Sequence, residues 1–183
     1  MLLSDTDIKN QLQAGTIVIS PFIETNLRSA SYRYTLGNIL SKPVANGKVI
    51  DIRENSEMSY ESFDLTQSEY VLQPGEFLLG QIAESISLAP NIGSFTDGRT
   101  QLARLGVEVV MNSMFVEPGQ KGSHETLEIC NSGPNPVLLY AGMPIAKGIF
   151  FFMQSPTSQP YSEYGTYAYQ NSPEPILGEE GNQ

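Results

Sequence analysis

Proline and glycine interrupt this chain too often for long helices. Turn signals recur from residue 21 to 153: Pro74-Gly75 in LQPGEFLLG, Pro118-Gly119 in VEPGQKG, then NSGPNP and YAGMP. The sequence holds 12 Pro and 16 Gly; each Pro removes a backbone donor, and each Gly allows turns that other residues resist. The stretches between them have strand periodicity. TIVIS is a β-branched run stopped by Pro21, and Tyr32, Tyr34 and Leu36 alternate with Ser31, Arg33 and Thr35, a period of two. Pro74-Gly75 suits a type II turn between strands. Many short strands joined by turns predict an all-β barrel or sandwich with few helical turns. Two helical pieces are expected. At the start, Ser4 or Asp5 can cap exposed amides, Ile8 and Leu12 share a face, and Gly15 ends the helix. In TQLARLG, Leu102 and Leu105 are three apart and Gly106 closes the turn. The final NSPEPILGEEGNQ is rich in Pro, Gly and Glu and is expected to move unless something pins it.

A chain of 183 residues, 40% of them hydrophobic, suits one domain around one core. Ten Lys and Arg against 20 Asp and Glu give a formal charge of −10, which disfavours nucleic-acid polymers and anionic membranes as partners. A small anion held by a few placed arginines remains compatible. MLLSDTD has neither a basic start nor an apolar stretch, so no signal peptide is read. The apolar run 149–153 is far too short to cross a bilayer. The lone Cys130 excludes an internal disulfide and fits a reducing compartment. The expected location is the cytoplasm.

GRTQLARLG, residues 98–106, places Arg99 and Arg104 five apart in an acidic chain. Arginine offers a planar fork of donors to phosphate oxygens, a neighbouring glycine lets a backbone amide approach the same anion, and Thr100 adds a hydroxyl. Exposed ion pairs, of little energetic consequence, would explain the same residues. In HETLEICN, Leu127 and Ile129 alternate with Thr126, Glu128 and Cys130, so Glu128 faces away from Leu127. Desolvation in a pocket would make it a general acid or base; a solvated strand face shows the same alternation. His124 and Cys130 are each the sole residue of their kind. A zinc deaminase needs three such ligands, so that mechanism is excluded by count. Cys130 also reads as a small core residue and His124 as a turn residue. There is no G-x-S-x-G elbow, Walker A motif or G-x-G-x-x-G. PYSEYGTYAYQ, 160–170, carries four tyrosines and Gln170. They fit core or interface packing, or a lid closing over a base.

With these pieces laid out, the chain resembles the dCTP deaminase branch of the dUTPase superfamily over almost its whole length. LLSDTDIKNQLQAGTIVISPF resembles the family's opening helix and strand, and SASYRYTLGN resembles its Ser-Tyr-Asp-x-Arg-Leu-Gly strand. LQPGEFLLGQIAESISL matches the segment leading into the central motif. GRTQLARLG is close to Gly-Arg-Ser-Ser-x-x-Arg-x-Gly, the most specific signature present. VEPG followed by TLEICNSG resembles Ile-Asp-Pro-Gly and Thr-Leu-Glu, and AGMPIAKGIFF resembles the Pro-Gly-Met-x-Ile-x-Gln strand.

The resemblance implies a single dUTPase-like domain over 1–183, a distorted β-barrel of the β-clip kind, with 160–183 as a C-terminal lid. It also implies a homotrimer with sites between subunits and zinc-free hydrolysis of dCTP to dUTP and ammonia, feeding dTTP synthesis. Glu128 takes the position that activates water and passes its proton to the leaving amine. Arg104 supports that carboxylate and the water, with Thr100 in place of the family's serine. Arg99 grips phosphate, a charge shared with Mg²⁺ bound to the triphosphate. Gln101, Ser113, Glu117 and Lys147 fall at further substrate-binding positions, and Tyr161, Tyr167 and Gln170 at tail positions that fold over the nucleotide. The nucleotide partners implied are dCTP, with dUTP and dTTP as further ligands.

The chain departs from the pattern at several positions. Arg33 and Thr35 replace an Asp and an Arg. Glu117 replaces an aspartate expected to contact deoxyribose. One extra residue precedes Leu127-Glu128, which predicts a bulge or longer turn near KGSHE and threatens the facing of Glu128. Thr166 stands at a usual lysine and Lys147 at a usual glutamine, so Lys147 could restore the missing charge. Two alternatives therefore stand beside dCTP deamination. One is a dUTP diphosphatase or bifunctional enzyme, with Glu117 activating water at the α-phosphate. The other is a weakly active nucleotide-binding trimer.

Overall fold

A computed structural model describes residues 1–54, 56–169 and 172–176. The first element, α1 (Asp5–Ala14), is bounded as its sequence requires. Ser4 caps it, accepting from the Asp7 amide while the Asp7 carboxylate accepts in return from the Ser4 amide, and Gly15 ends it at φ 71°. Strands then follow in chain order: β1 (Ile17–Ser20), β2 (Leu27–Arg28), β3 (Ser31–Thr35), β4 (Ile39–Val44), β5 (Ser59–Asp64), β6 (Tyr70–Leu72), β7 (Phe77–Gln81), β8 (Ser85–Leu88) and β9 (Ile92–Gly98). The second helix, α2 (Thr100–Ala103), interrupts them before β10 (Val107–Glu108), β11 (Phe115–Val116), β12 (Thr126–Asn131), β13 (Val137–Leu139) and β14 (Pro144–Phe152). A last turn, α3 (Tyr161–Tyr164), begins the tail.

The all-β expectation with a short N-terminal helix holds. The strands form two five-stranded sheets, β10-β12-β7-β4-β5 and β11-β9-β14-β3-β2, with two-stranded pairs β1-β8 and β13-β6. These sheets do not close into the expected barrel. Closure needs backbone donors along each edge, and β2, β10 and β11 at the edges are each two residues long. One contiguous core joins the two larger sheets. Tyr32, Tyr34, Ile145 and Phe150 enter from one, and Leu40, Leu78, Leu127 and Ile129 from the other. The Pro74-Gly75 turn forms between β6 and β7, with Glu76 N–H donating to Gln73 O at 3.1 Å and Gly75 at φ 79°. No helix among the described residues is long and apolar enough to cross a membrane.

Candidate active site around α2 and strand β12

Helix α2 grows directly out of β9. Arg99 is its N-cap in extended conformation, and its guanidinium Nη1 donates to the Pro144 carbonyl at 2.8 Å. That bond ties the motif to the start of β14. Leu102 anchors the turn in the core, whereas Leu105 is 51% exposed, so the spacing of three does not bury both leucines. Four residues cannot present a second apolar face, and the chain leaves the helix at Arg104. Thr100, Gln101 and Arg104 are exposed, and Arg104 forms no ion pair among the described residues. Ser113 is exposed in the loop between β10 and β11.

Glu128 lies at the middle of β12, opposite Leu79 of β7. Leu127 and Ile129 are fully buried on the core face, which holds Glu128 half-buried on the other. The extra residue does not disturb this arrangement. Pairing runs without slippage from Thr126 opposite Gln81 to Cys130 opposite Phe77, because the insertion is absorbed before β12, where Ser123 bridges to Ile86. Burial pushes the Glu128 carboxyl above its ordinary pKa, opposed by the Met111 N–H, which donates to Oε2 at 3.3 Å. Two residues earlier on the same face, the Thr126 hydroxyl is buried and has no hydrogen-bond partner among the described residues. Cys130 is half-buried, and His124 places Nδ1 3.1 Å from the Ile82 carbonyl.

Behind the strand lies a pair of acids not singled out from the sequence. Glu84 is 1% exposed and accepts from the Thr35 amide and hydroxyl, each at 3.0 Å. Glu125 accepts from the Thr96 hydroxyl, while its Oε1 is buried without a partner among the described residues. Burial raises both carboxyls; for Glu125, with the Glu84 charge adding to the effect, the value reaches about 7. The available signal was Thr35 at a position where an arginine was expected, which leaves Glu84 facing a hydroxyl instead of a cation. Glu125 is part of the KGSHE segment that gained a residue.

The tail folds back onto its own chain. The Tyr161 amide donates to Pro118 O at 3.0 Å and the Ser162 amide to Gly119 O at 3.3 Å. Gly119, at φ 85°, is where this approach is closest: a Cβ there would overlap Pro160. Tyr161 is therefore beside Glu117, and burial, with a smaller contribution from the Glu117 charge, raises its phenol. The Tyr167 hydroxyl meets the Ile176 backbone, donating to O at 3.4 Å and accepting from N at 3.3 Å. Pro173 is buried, and Glu174 Oε1 accepts from the Ser41 hydroxyl at 2.5 Å. The stretch expected to move is thus pinned over 172–176. Gln170 lies outside the described residues.

Lys147 on β14 pairs with Asp97 on β9 at 2.9 Å. The structure therefore groups Arg99 with the β14 strand that carries Lys147, and Glu117 with Tyr161. Arg104 and Thr100 do not bond to Glu128 within one chain. A separate cavity of about 570 Å³, lined by Lys9, Leu12, Ile17, Phe22 and Glu24 among others, includes none of these residues.

A sequence model of the dCTP deaminase-like family matches residues 2–153. A relative from Methanosphaerula palustris named "dCTP deaminase, dUMP-forming" is 31% identical over 97% of this chain and 94% of its own length. Relatives of the same name from Bifidobacterium longum and Methanopyrus kandleri are 35% and 36% identical, covering 96% and 95% of this chain and 93% and 94% of their own. Among solved structures, the 2'-deoxycytidine 5'-triphosphate deaminase from Agrobacterium tumefaciens shares the fold, with a TM-score of 0.65 at 18% identity, covering 83% of this chain and 48% of that one. On this match across most of its length, the chain belongs to the dCTP deaminase-like family.

Proposed function

We propose that this protein deaminates dCTP and then releases pyrophosphate, so that dCTP and two waters give ammonia, pyrophosphate and dUMP. The observation that carries the first step is Glu128, a half-buried carboxylate of raised pKa on a strand locked by Leu127 and Ile129. Such a group can take a proton from water attacking C4 of cytosine and return it to the departing amine. The name shared by the relatives, dUMP-forming, supports dUMP in place of dUTP as the product. For the second step, Glu117 activates water at the α-phosphate; its half-buried place against the tail supports that role. Tyr161 and Tyr167 carry the tail as a lid that excludes bulk water.

The sites lie between subunits of a homotrimer. Exposure of Thr100, Gln101 and Arg104, with Arg104 in no ion pair among the described residues, supports their use by a neighbouring copy, whose Glu128 they would hold and orient. Ser113, in the exposed loop after β10, joins the substrate contacts. Mg²⁺ would come with the nucleotide and would share its phosphate charge. No group of three His, Cys, Asp or Glu suited to a metal lies among the described residues, so phosphate oxygens and water would supply its ligands.

The deciding experiment incubates purified protein with dCTP, and separately with dUTP, in Mg²⁺ and assays ammonia, dUTP, dUMP and pyrophosphate. Ammonia with dUMP and pyrophosphate is the expected result. Ammonia with intact dUTP would restrict the enzyme to deamination. Binding without product would leave a nucleotide-binding protein.

A further inference from the structure

One face of the β2-β3-β14-β9 sheet carries a row of positive charge. Strand register sets it: Arg28 pairs with Ser31, Arg33 with Lys147, and Lys147 with Asp97. Residues opposed across antiparallel strands share a face, as do residues two apart on one strand. Arg28, Arg33, Lys147 and Asp97 therefore stand together on the side opposite Tyr32, Tyr34 and Ala146, which enter the core. Arg99 follows two residues after Asp97 in extended backbone, continuing the row to the mouth of α2.

Four cations thus meet one acid, in a chain whose formal charge is −10. Asp97 is taken by Lys147. Arg28, Arg33 and Arg99 have no ion pair among the described residues. Partial burial first, and then the nearby charges of Arg28 and Arg99, lower the Arg33 guanidinium from its ordinary pKa, in keeping with the register that gathers these groups on one face. Uncompensated arginines gathered on a rigid sheet form a complementary surface for a multiply charged anion. Adjacent strands are about 4.8 Å apart, so the row offers successive contacts suited to a short chain of phosphates.

We propose that Arg33 and Arg28 extend the Arg99 site along this sheet and bind the distal phosphates of the nucleoside triphosphate. The assignment rests on the proposed reaction of dCTP and on Arg99 as the phosphate contact that the family resemblance implies. Arg33 occupies a position where the resemblance leads one to expect an aspartate.

The test uses the full chain and inorganic tripolyphosphate, titrated calorimetrically in EDTA so that no metal bridges the contact. Arg33→Gln and the Arg28→Gln/Arg33→Gln double variant are compared with wild type after circular dichroism confirms folding. Arg33→Gln is expected to weaken tripolyphosphate by about tenfold or more, to change orthophosphate binding little, and to raise KM for dCTP more than it lowers kcat. No tripolyphosphate binding by wild type, or unchanged binding by the double variant, overturns the assignment. Wild-type KM for dCTP in the double variant also overturns it, leaving the deaminase reading intact. Conversely, loss of tripolyphosphate binding in a protein that turns over neither dCTP nor dUTP sinks the enzymatic reading and keeps the anion row.

Discussion

Ser41 and Glu128 flank Leu79 in a single row across β4, β7 and β12, each directly opposite it. The Ser41 hydroxyl donates to Glu174 of the tail, so the last described segment lies on the same sheet face as the candidate base. This hydrogen bond to a carboxylate in a nearly buried position should be worth about 2 kcal/mol of local tail docking. Ser41→Ala is expected to speed amide hydrogen exchange and proteolytic cleavage in 172–176 while leaving the exchange of β12 unchanged. Equal protection in variant and wild type would show that Pro173 and the Tyr167 contacts to Ile176 hold the tail without this bond.

Glu128→Gln preserves shape and keeps an acceptor for the Met111 amide, but it cannot take a proton from water. Ammonia release from dCTP should fall by about a hundredfold to ten-thousandfold, with a melting temperature no lower than wild type because a desolvated charge has been removed. The raised pKa also fixes the acid limb of the rate profile. Activity requires the carboxylate, so kcat/KM should decline as pH falls through a value above the 4.5 of an ordinary glutamate. Full deaminase activity in the variant removes Glu128 as the base.

The parts of this architecture legible in the sequence are those that depend on neighbours along the chain. Ser4, Asp7 and Gly15 delimit α1 by local hydrogen bonding and backbone conformation. Pro74-Gly75 sets a turn, and the alternation around Glu128 gives its facing. Contacts between distant segments are a different matter. Nothing local indicates that Arg33 will stand opposite Lys147, since this depends on how β3 and β14 pair. Nor does composition reveal that Pro173 and Glu174 find places to dock. The extra residue before Leu127 was visible, but whether a strand or the turn before it would absorb the insertion depends on pairing with β7. The arginines of α2 were readable as a motif, and their partners were not.

Lys147 tests the charge on the same sheet from the other side. Lys147→Glu exchanges an ion pair with Asp97 for a repulsion, but both side chains are substantially solvent-accessible, so the stability loss should be at most about 1 kcal/mol. Its effect on a polyanionic substrate should be larger, raising KM for dCTP by about tenfold or more through loss of one cation and gain of one anion. Steady-state kinetics at two salt concentrations check this, the defect shrinking at high salt as screening increases. An unchanged KM would place Lys147 outside the substrate's field.

The acid pair behind β12 makes stability depend on pH in a direction opposite to that of a salt-bridged carboxylate. Glu125 titrates near 7 in the folded chain against 4.5 as an ordinary glutamate, so the native state binds the proton more tightly than the unfolded state does. Stability is therefore greatest below about 4.5 as far as this group is concerned, falls as pH rises towards 7, and levels off above it. The difference corresponds to about 3 kcal/mol between the plateaus, and Glu84, also raised by burial, adds to the same slope. Glu125→Gln keeps an acceptor for the Thr96 hydroxyl and removes the titration. Urea unfolding of wild type and variant across this window should give a steeper decline for wild type, with the variant more stable at pH 8. Parallel curves would mean that Glu125 stays ionised in the folded protein, with water reaching the Oε1 that has no partner among the described residues.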